Sequence, residues 1–343
     1  MKAVVLERQG VISVKEVPDP PHPGPGELRI APHTVGICGS DAHYYTHGRI
    51  GDFVVKAPMI LGHEAAGTVV EVGEGVEGFQ VGDRVAMEPG IPDMQSRASK
   101  EGMYNVDPSV RFFATPPVDG CLCDVVNHPA AFTYHLPDNV SFAEGALLEP
   151  LAVAVHSAVK AKLKPGDIAV VIGSGTVGIL TACAALAGGA AKVIISDVSD
   201  VKLGIAAQTE GVVPVNVTRE DLVTVVNEHT HGYGADVVFE ASGAAAAYRD
   251  LLKLPAPGGC VVLIGMPVDP VSFDVVKAQS REVRVETIFR YANVYQRGIE
   301  MVASGKVDLK RFVTATYGVD EAQAAFDRVV EARPEDVKIQ ILM

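Results

Sequence analysis

Val170-Val171-Ile172-Gly173-Ser174-Gly175-Thr176-Val177-Gly178 is the stretch that decides the fold. An apolar run ends in glycines and resumes as small residues from Ile179 to Ala187, which reads as a buried strand, a tight turn and a helix. Gly173 permits the turn, Gly175 lets the backbone approach a pyrophosphate with no Cβ in the way, and Gly178 lets the helix pack close on the strand. Phosphates would then sit at the helix N-terminus, where unpaired N–H groups and the macrodipole favour negative charge.

Glycine-rich turns also recur for purely structural reasons, so the surroundings carry the argument. A second apolar run, 192–196, ends in Asp197, about 20 residues on, where a dinucleotide fold places the carboxylate that grips an adenosine ribose. Asp-Val-Ser-Asp would also suit an ordinary turn. Glycines, spacing and strand together favour the cofactor reading.

Working outward, apolar runs at 168–172, 193–196, 212–217, 236–240, 260–264 and 283–288 alternate with helical stretches. That alternation predicts a doubly wound parallel sheet. Before it, from Met1 to about His156, short alternating runs are broken by glycine and proline, as expected of an all-β unit. Beyond Phe289 the alternation stops. Residues 293–303 are amphipathic, Asp320-Glu321-Ala322-Gln323 opens a helix with a capping pattern, and 337–342 reads as a final strand. The expected division is 1–157, 158–289 and 290–343, the last part rejoining the first around an inserted dinucleotide domain, with a cleft between the two.

A chain of 343 residues exceeds one ordinary core, and a net charge of −13 argues against nucleic acid or an anionic membrane surface as partner. The uncharged span 168–191 is long enough for a membrane helix, but its glycines and strand-turn-helix pattern point to a segment buried between sheet and helices. Charge returns at Glu7, so the N-terminus has no signal-peptide core, and a cytoplasmic location is expected. Five cysteines, Cys38, Cys121, Cys123, Cys183 and Cys260, form no disulfide framework in a reducing compartment. Cys183 and Cys260 fall in apolar runs and read as core.

Gly36-Ile37-Cys38-Gly39-Ser40-Asp41-Ala42-His43 and Leu61-Gly62-His63-Glu64 together supply thiolate, imidazole and carboxylate, a donor set suited to zinc. Glu149 is a further carboxylate near the junction. Any one of these alone would read as a packed core residue; the case rests on their combination.

Gly62-His63-Glu64-Ala65-Ala66-Gly67, followed by Gly73 and Val76, resembles the zinc signature of medium-chain alcohol dehydrogenases, and the likeness extends over nearly the whole chain. Glu88-Pro89-Gly90, Tyr104-Asn105, Phe113 to Pro117, Leu148-Glu149-Pro150-Leu151 and Phe289 to Asn293 are similar to the polyol branch, sorbitol and xylitol dehydrogenases. The resemblance implies a Rossmann domain inserted in a GroES-like β-barrel catalytic domain. It implies NAD, one catalytic zinc on Cys38, His63 and Glu64, and Glu149 bound directly or through the metal's water. Tyr44, Phe112, Thr115, Arg290 and Tyr291 match positions facing a polyol. Alongside Gly173, Gly175 and Gly178, the positions Val177, Asp197, Lys202, Ser242, Ile264, Met266, Phe289 and Arg290 match those near the dinucleotide. Ser40 or Glu149 would carry the proton away; His43 stands at a relay position but equally suits a solvated surface. Relatives are often homotetramers, and the strand 283–288 would suit a sheet edge paired with another chain.

Many relatives hold a second, structural zinc on four cysteines just after the Glu-Pro-Gly-Ile-Pro stretch. Here Asp93, Ser96, Ser99 and Asp107 stand in those places, so the loop 90–105 is expected to be metal-free. The reaction implied is hydride transfer between a polyol, xylitol or sorbitol, and NAD, giving the ketose. A threonine- or butanediol-type dehydrogenase and a non-catalytic dinucleotide binder are the alternatives.

Overall fold

The computed structural model describes every residue, Met1–Met343. Its contacts divide the chain into two units, Met1–Glu149 with Tyr295–Met343, and Pro150–Val294.

In the first unit the alternating runs pair into sheets. One sheet orders its strands Thr133–His135, Arg84–Met87, Glu64–Val72, Glu27–Gly36, Lys338–Leu342 and Val313–Gly318, with Val126–Pro129 also on Glu27–Gly36. A smaller sheet joins Val11–Glu16, Lys2–Arg8 and Met59–Ile60. Leu6, Leu28, Ile30, Leu61, Leu122 and Phe326 are fully buried in the core that these elements share. The register sets Gly36 opposite both Glu64 and Gln340, bringing the two ends of the chain to one place. A Cβ at Gly36 would lie 2.1 Å from Glu64 Oε2, so glycine here leaves the room that the carboxylate takes.

The second unit holds six parallel strands, β1 (Ile168–Ile172), β2 (Lys192–Asp197), β3 (Val212–Asn216), β4 (Ala235–Glu240), β5 (Pro255–Leu263) and β6 (Arg284–Thr287). Their order is β3-β2-β1-β4-β5-β6, the doubly wound arrangement. Val170, Val171, Ile194, Ile195, Val238 and Phe239 are fully buried, as in strands covered on both faces. The helix Thr176–Ala187 follows β1, and 3-10 turns replace a helix between β4 and β5.

Helix Phe142–Ala161 is long and apolar enough to cross a membrane, yet 72% of its apolar window is buried, and it serves as a core helix. The unit boundary falls inside it, between Glu149 and Pro150. One sequence expectation differs in detail. The helix expected to open at Asp320 runs over Ala322–Glu331, after a 3-10 turn capped by Glu321 on the Gly318 N–H. Asp320 pairs with Lys2 instead, and Gln323 binds Tyr45, Asp327 and the Ile12 N–H.

Candidate metal and dinucleotide sites

Cys38 immediately precedes the helix Gly39–His47. Asp41, three residues on, returns a carboxylate oxygen to the Cys38 N–H at 3.0 Å, while its other oxygen accepts the Gly62 N–H at 3.2 Å. This fully buried carboxylate ties the Cys38 turn to the segment that carries His63. The ligand atoms of Cys38, His63 and Glu64 lie within 4.8 Å of one another. Nδ1 of His63 is buried with no hydrogen-bond partner, 3.6 Å from Asp41 Oδ2, and its ring lies 5.6 Å from that of Phe112. With Nδ1 turned toward Asp41, Nε2 is the nitrogen left for a metal, and the thiol, imidazole and carboxylate donor set fits a zinc ion, with Asp41 as the outer carboxylate that orients the histidine.

Lys338, not among the residues expected from the sequence, lies within this cluster. Its ammonium donates to both Glu64 oxygens, at 2.7 and 2.8 Å, and to the Ile37 carbonyl at 3.2 Å. Burial alone would lower its pKa, but Glu64, and beyond it Cys38 and Glu149, hold it above the ordinary lysine value. Glu149 is buried in the same unit. Glu88 accepts the Tyr104 and Tyr134 hydroxyls at 2.7 and 2.9 Å. Burial pushes its carboxyl up to about 7 against the pull of those hydroxyls, with Glu149 adding repulsion.

Of the other residues expected in the first unit, Tyr44 and Phe112 are buried and Ser40 and Thr115 are half-buried. His43 is exposed, with its ring 5.4 Å from that of His47. In the segment without cysteines, the Asp107 carboxylate accepts the Asp93 N–H at 2.6 Å and the Ser109 N–H at 3.1 Å. Ser96 bonds both the backbone and the hydroxyl of Ser99. Burial works against the Asp107 charge, but these amides and hydroxyls hold its carboxyl below the ordinary value.

In the second unit Gly173 has φ +100°, and a Cβ at Gly178 would lie 1.9 Å from the Gly173 carbonyl oxygen, so both glycines are required by the turn. A Cβ at Gly175 would meet nothing within 4 Å, which leaves open space over the helix start where a pyrophosphate fits. Asp197, ending β2, accepts the N–H groups of Ser174, Val198 and Ser199. The Ser174 hydroxyl bonds the Lys202 carbonyl, so Asp197 and Lys202 gather around the turn after β1, with Val177 in the helix that follows it. Ser242, Ile264 and Met266 follow β4 and β5, with Met266 exposed. Arg290 has φ +56° and its guanidinium lies 4.9 Å over the Phe289 ring, beside the buried Tyr291.

Comparison with known proteins agrees with both halves. Residues 24–138 match the alcohol dehydrogenase GroES-like domain, and 176–304 match the zinc-binding dehydrogenase model. The chain is 58% identical to a protein of Agrobacterium fabrum named as a D-xylulose reductase, over 100% of this chain and 99% of that one. It belongs to the zinc-dependent medium-chain alcohol dehydrogenase family. Within that family it is 52% identical to the D-xylulose reductase of Morganella morganii, over 96% of this chain and 98% of that protein. The solved 2R,3R-butanediol dehydrogenase of Bacillus subtilis superposes with a TM-score of 0.92 at 30% identity, covering 100% and 99% of the two chains.

Asp41, Lys338, Glu88 and Glu240 are the residues that sequence reasoning did not single out. Asp41 carries a readable signal, an acid three residues after Cys38, which caps the helix Gly39–His47. Lys338 carries none, since its partner lies 274 residues away.

Proposed function

We propose that this medium-chain dehydrogenase interconverts xylitol and D-xylulose with NAD. The observation that carries the reading is the cluster of half-buried Cys38 with buried His63 and Glu64 in a chain 52% identical, over nearly its full length, to a D-xylulose reductase. The lower identity to a butanediol dehydrogenase makes the diol reading the weaker one.

Cys38 and His63, with Glu64 or Glu149, are the residues to hold zinc. When bound, zinc supplies Lewis acidity toward a substrate hydroxyl, and NAD supplies the hydride acceptor. Glu149 and Ser40 are the groups to take up the hydroxyl proton. Tyr44, Phe112, Thr115, Arg290 and Tyr291 are assigned to the polyol, whose several hydroxyls need donors and acceptors that a short alkyl alcohol does not. Gly173, Gly175, Val177 and Gly178 are assigned to the pyrophosphate, and Asp197 with Lys202 to the adenosine ribose. Ser242, Ile264, Met266, Phe289 and Arg290 are assigned to the rest of the dinucleotide. The exposed Val275, Val276 and Val285, close in sequence to or on the edge strand β6, support assembly with further copies of the chain.

Initial rates with NAD and NADP against xylitol, sorbitol, 2,3-butanediol and threonine test the assignment. Xylitol with NAD should give the highest kcat/KM. A higher value for butanediol or threonine would replace the polyol reading, and absence of any turnover would favour a non-catalytic binder.

A further inference from the structure

The end of β4 holds a buried acid that the assignments above leave unused. Glu240 is fully buried, and hydroxyls and backbone amides, rather than a cation, hold its carboxylate. Oε1 accepts the Ser242 N–H at 2.9 Å, the Ser242 hydroxyl and the Gly243 N–H at 3.0 Å, and Oε2 accepts the Tyr248 hydroxyl at 3.3 Å. Its backbone carbonyl takes the N–H groups of Ile264 and Gly265, each at 2.8 Å. One residue therefore binds the turn after β4 with its side chain and the turn after β5 with its backbone.

The turns it joins are in contact at the same sheet edge. A Cβ at Gly265 would fall 2.2 Å from the Gly243 nitrogen and 2.6 Å from Glu240 Oε2, and one at Gly173 would fall 3.0 Å from the Ser242 backbone. Three turns, after β1, β4 and β5, thus stack with no room for side chains between them. A dinucleotide lies across the carboxyl ends of such a sheet with its pyrophosphate at the β1 turn. Asp197 marks the adenosine side at β2, and β4 and β5 lie on the opposite side of β1, where the nicotinamide must go.

We infer that Glu240 is a positioning residue for the nicotinamide half of the cofactor, acting by fixing the Ser242–Gly243 and Gly265–Met266 turns. The inference rests on the dinucleotide reading. Glu240→Ala takes the acceptor from the Ser242 and Gly243 amides and from the Tyr248 hydroxyl, and frees the two turns. Glu240→Gln keeps an acceptor oxygen for them and should restore most of the effect.

The test compares NADH with ADP-ribose, which lacks the nicotinamide. The chain has no tryptophan, so NADH fluorescence reports binding without indole background, and calorimetry gives ADP-ribose. Glu240→Ala should weaken NADH by about tenfold or more, as expected when charge-assisted bonds are removed, leave ADP-ribose within about twofold, and be largely rescued by Glu240→Gln. Equal weakening of both ligands, or of neither, overturns the inference. Where Glu240→Ala does not fold, Glu240→Asp, which draws the carboxylate back by one methylene from the Ser242 and Gly243 amides, reads the same ratio, and an unchanged ratio there overturns the inference equally. A wild-type protein that binds neither ligand overturns the dinucleotide reading itself, and the inference with it.

Discussion

Replacing Lys338 by methionine removes the buried cation from Glu64 while nearly conserving side-chain volume. Lys338 is 5% exposed and Glu64 1%, so water cannot take the ammonium's place. Breaking a buried ion pair from one side leaves an uncompensated charge and costs about 3–5 kcal/mol. In a unit of about 200 residues each kcal/mol lowers Tm by roughly 2–4 °C, so the metal-free variant should melt on the order of 10 °C below the metal-free wild type. Zinc offsets this loss. If Glu64 is a ligand, the metal becomes its counter-charge, and the gap between variant and wild type should shrink to a few degrees when both are zinc-loaded. Calorimetric Tm values for both proteins, chelated and zinc-loaded, read this directly. A gap of the same size with and without zinc would show that Glu64 does not reach the metal and leave Glu149 as the acidic ligand. No gap in either state would refute the buried-pair reasoning.

Cys38→Ser or His63→Ala should abolish polyol oxidation while leaving NADH binding unchanged, because metal and dinucleotide are assigned to different units; activity above a few per cent in zinc-chelated samples would contradict the metal assignment. Asp197 should make NAD the preferred cofactor by on the order of a hundredfold in kcat/KM, through lost ribose bonds and repulsion of a 2′-phosphate. Arg219, just beyond β3, is already held by Asp200 in two bonds, and Asp197→Ala should narrow the ratio; equal efficiency with NADP in the wild type would refute the assignment. Glu88, raised from 4.5 to about 7, stays protonated in the folded protein over a window where the unfolded chain has released its proton. Its contribution is therefore complete below about pH 4.5 and is lost as pH rises to about 7, a change of about 3 kcal/mol at most. Glu88→Gln should gain stability relative to wild type between pH 5 and 8 in denaturant melts, and a pH-independent difference would contradict the buried carboxyl's role.

The second unit was legible because its signals are local. A strand, three glycines and an acid at the next strand end all lie between Val170 and Asp197. Cys38, His63 and Glu64 were legible only in combination, through a resemblance to a known donor pattern. Electrostatic support was not readable, because it joins residues far apart: Lys338 to Glu64, or Tyr104 and Tyr134 to Glu88. Lys338 and Gln340 alternate with Ile339 and Ile341, a pattern that suggests a strand with one wet face, yet all four are buried. Local capping chemistry misled at Asp320, where tertiary partners took both side chains of the expected cap. Glu240 was read only as the end of a strand, since nothing in its neighbours announces a carboxylate folded back onto two turns.

Zinc titration of the chelated protein, followed by the rate of NAD reduction with xylitol, is the measurement closest to the central claim. Asp93, Ser96, Ser99 and Asp107 offer no thiolate, and Asp107 already binds the backbone of Asp93 and Ser109. Turnover should be absent without zinc, rise linearly, and break at one zinc per chain. Full activity in the absence of metal, or a break at two zinc per chain, would contradict it.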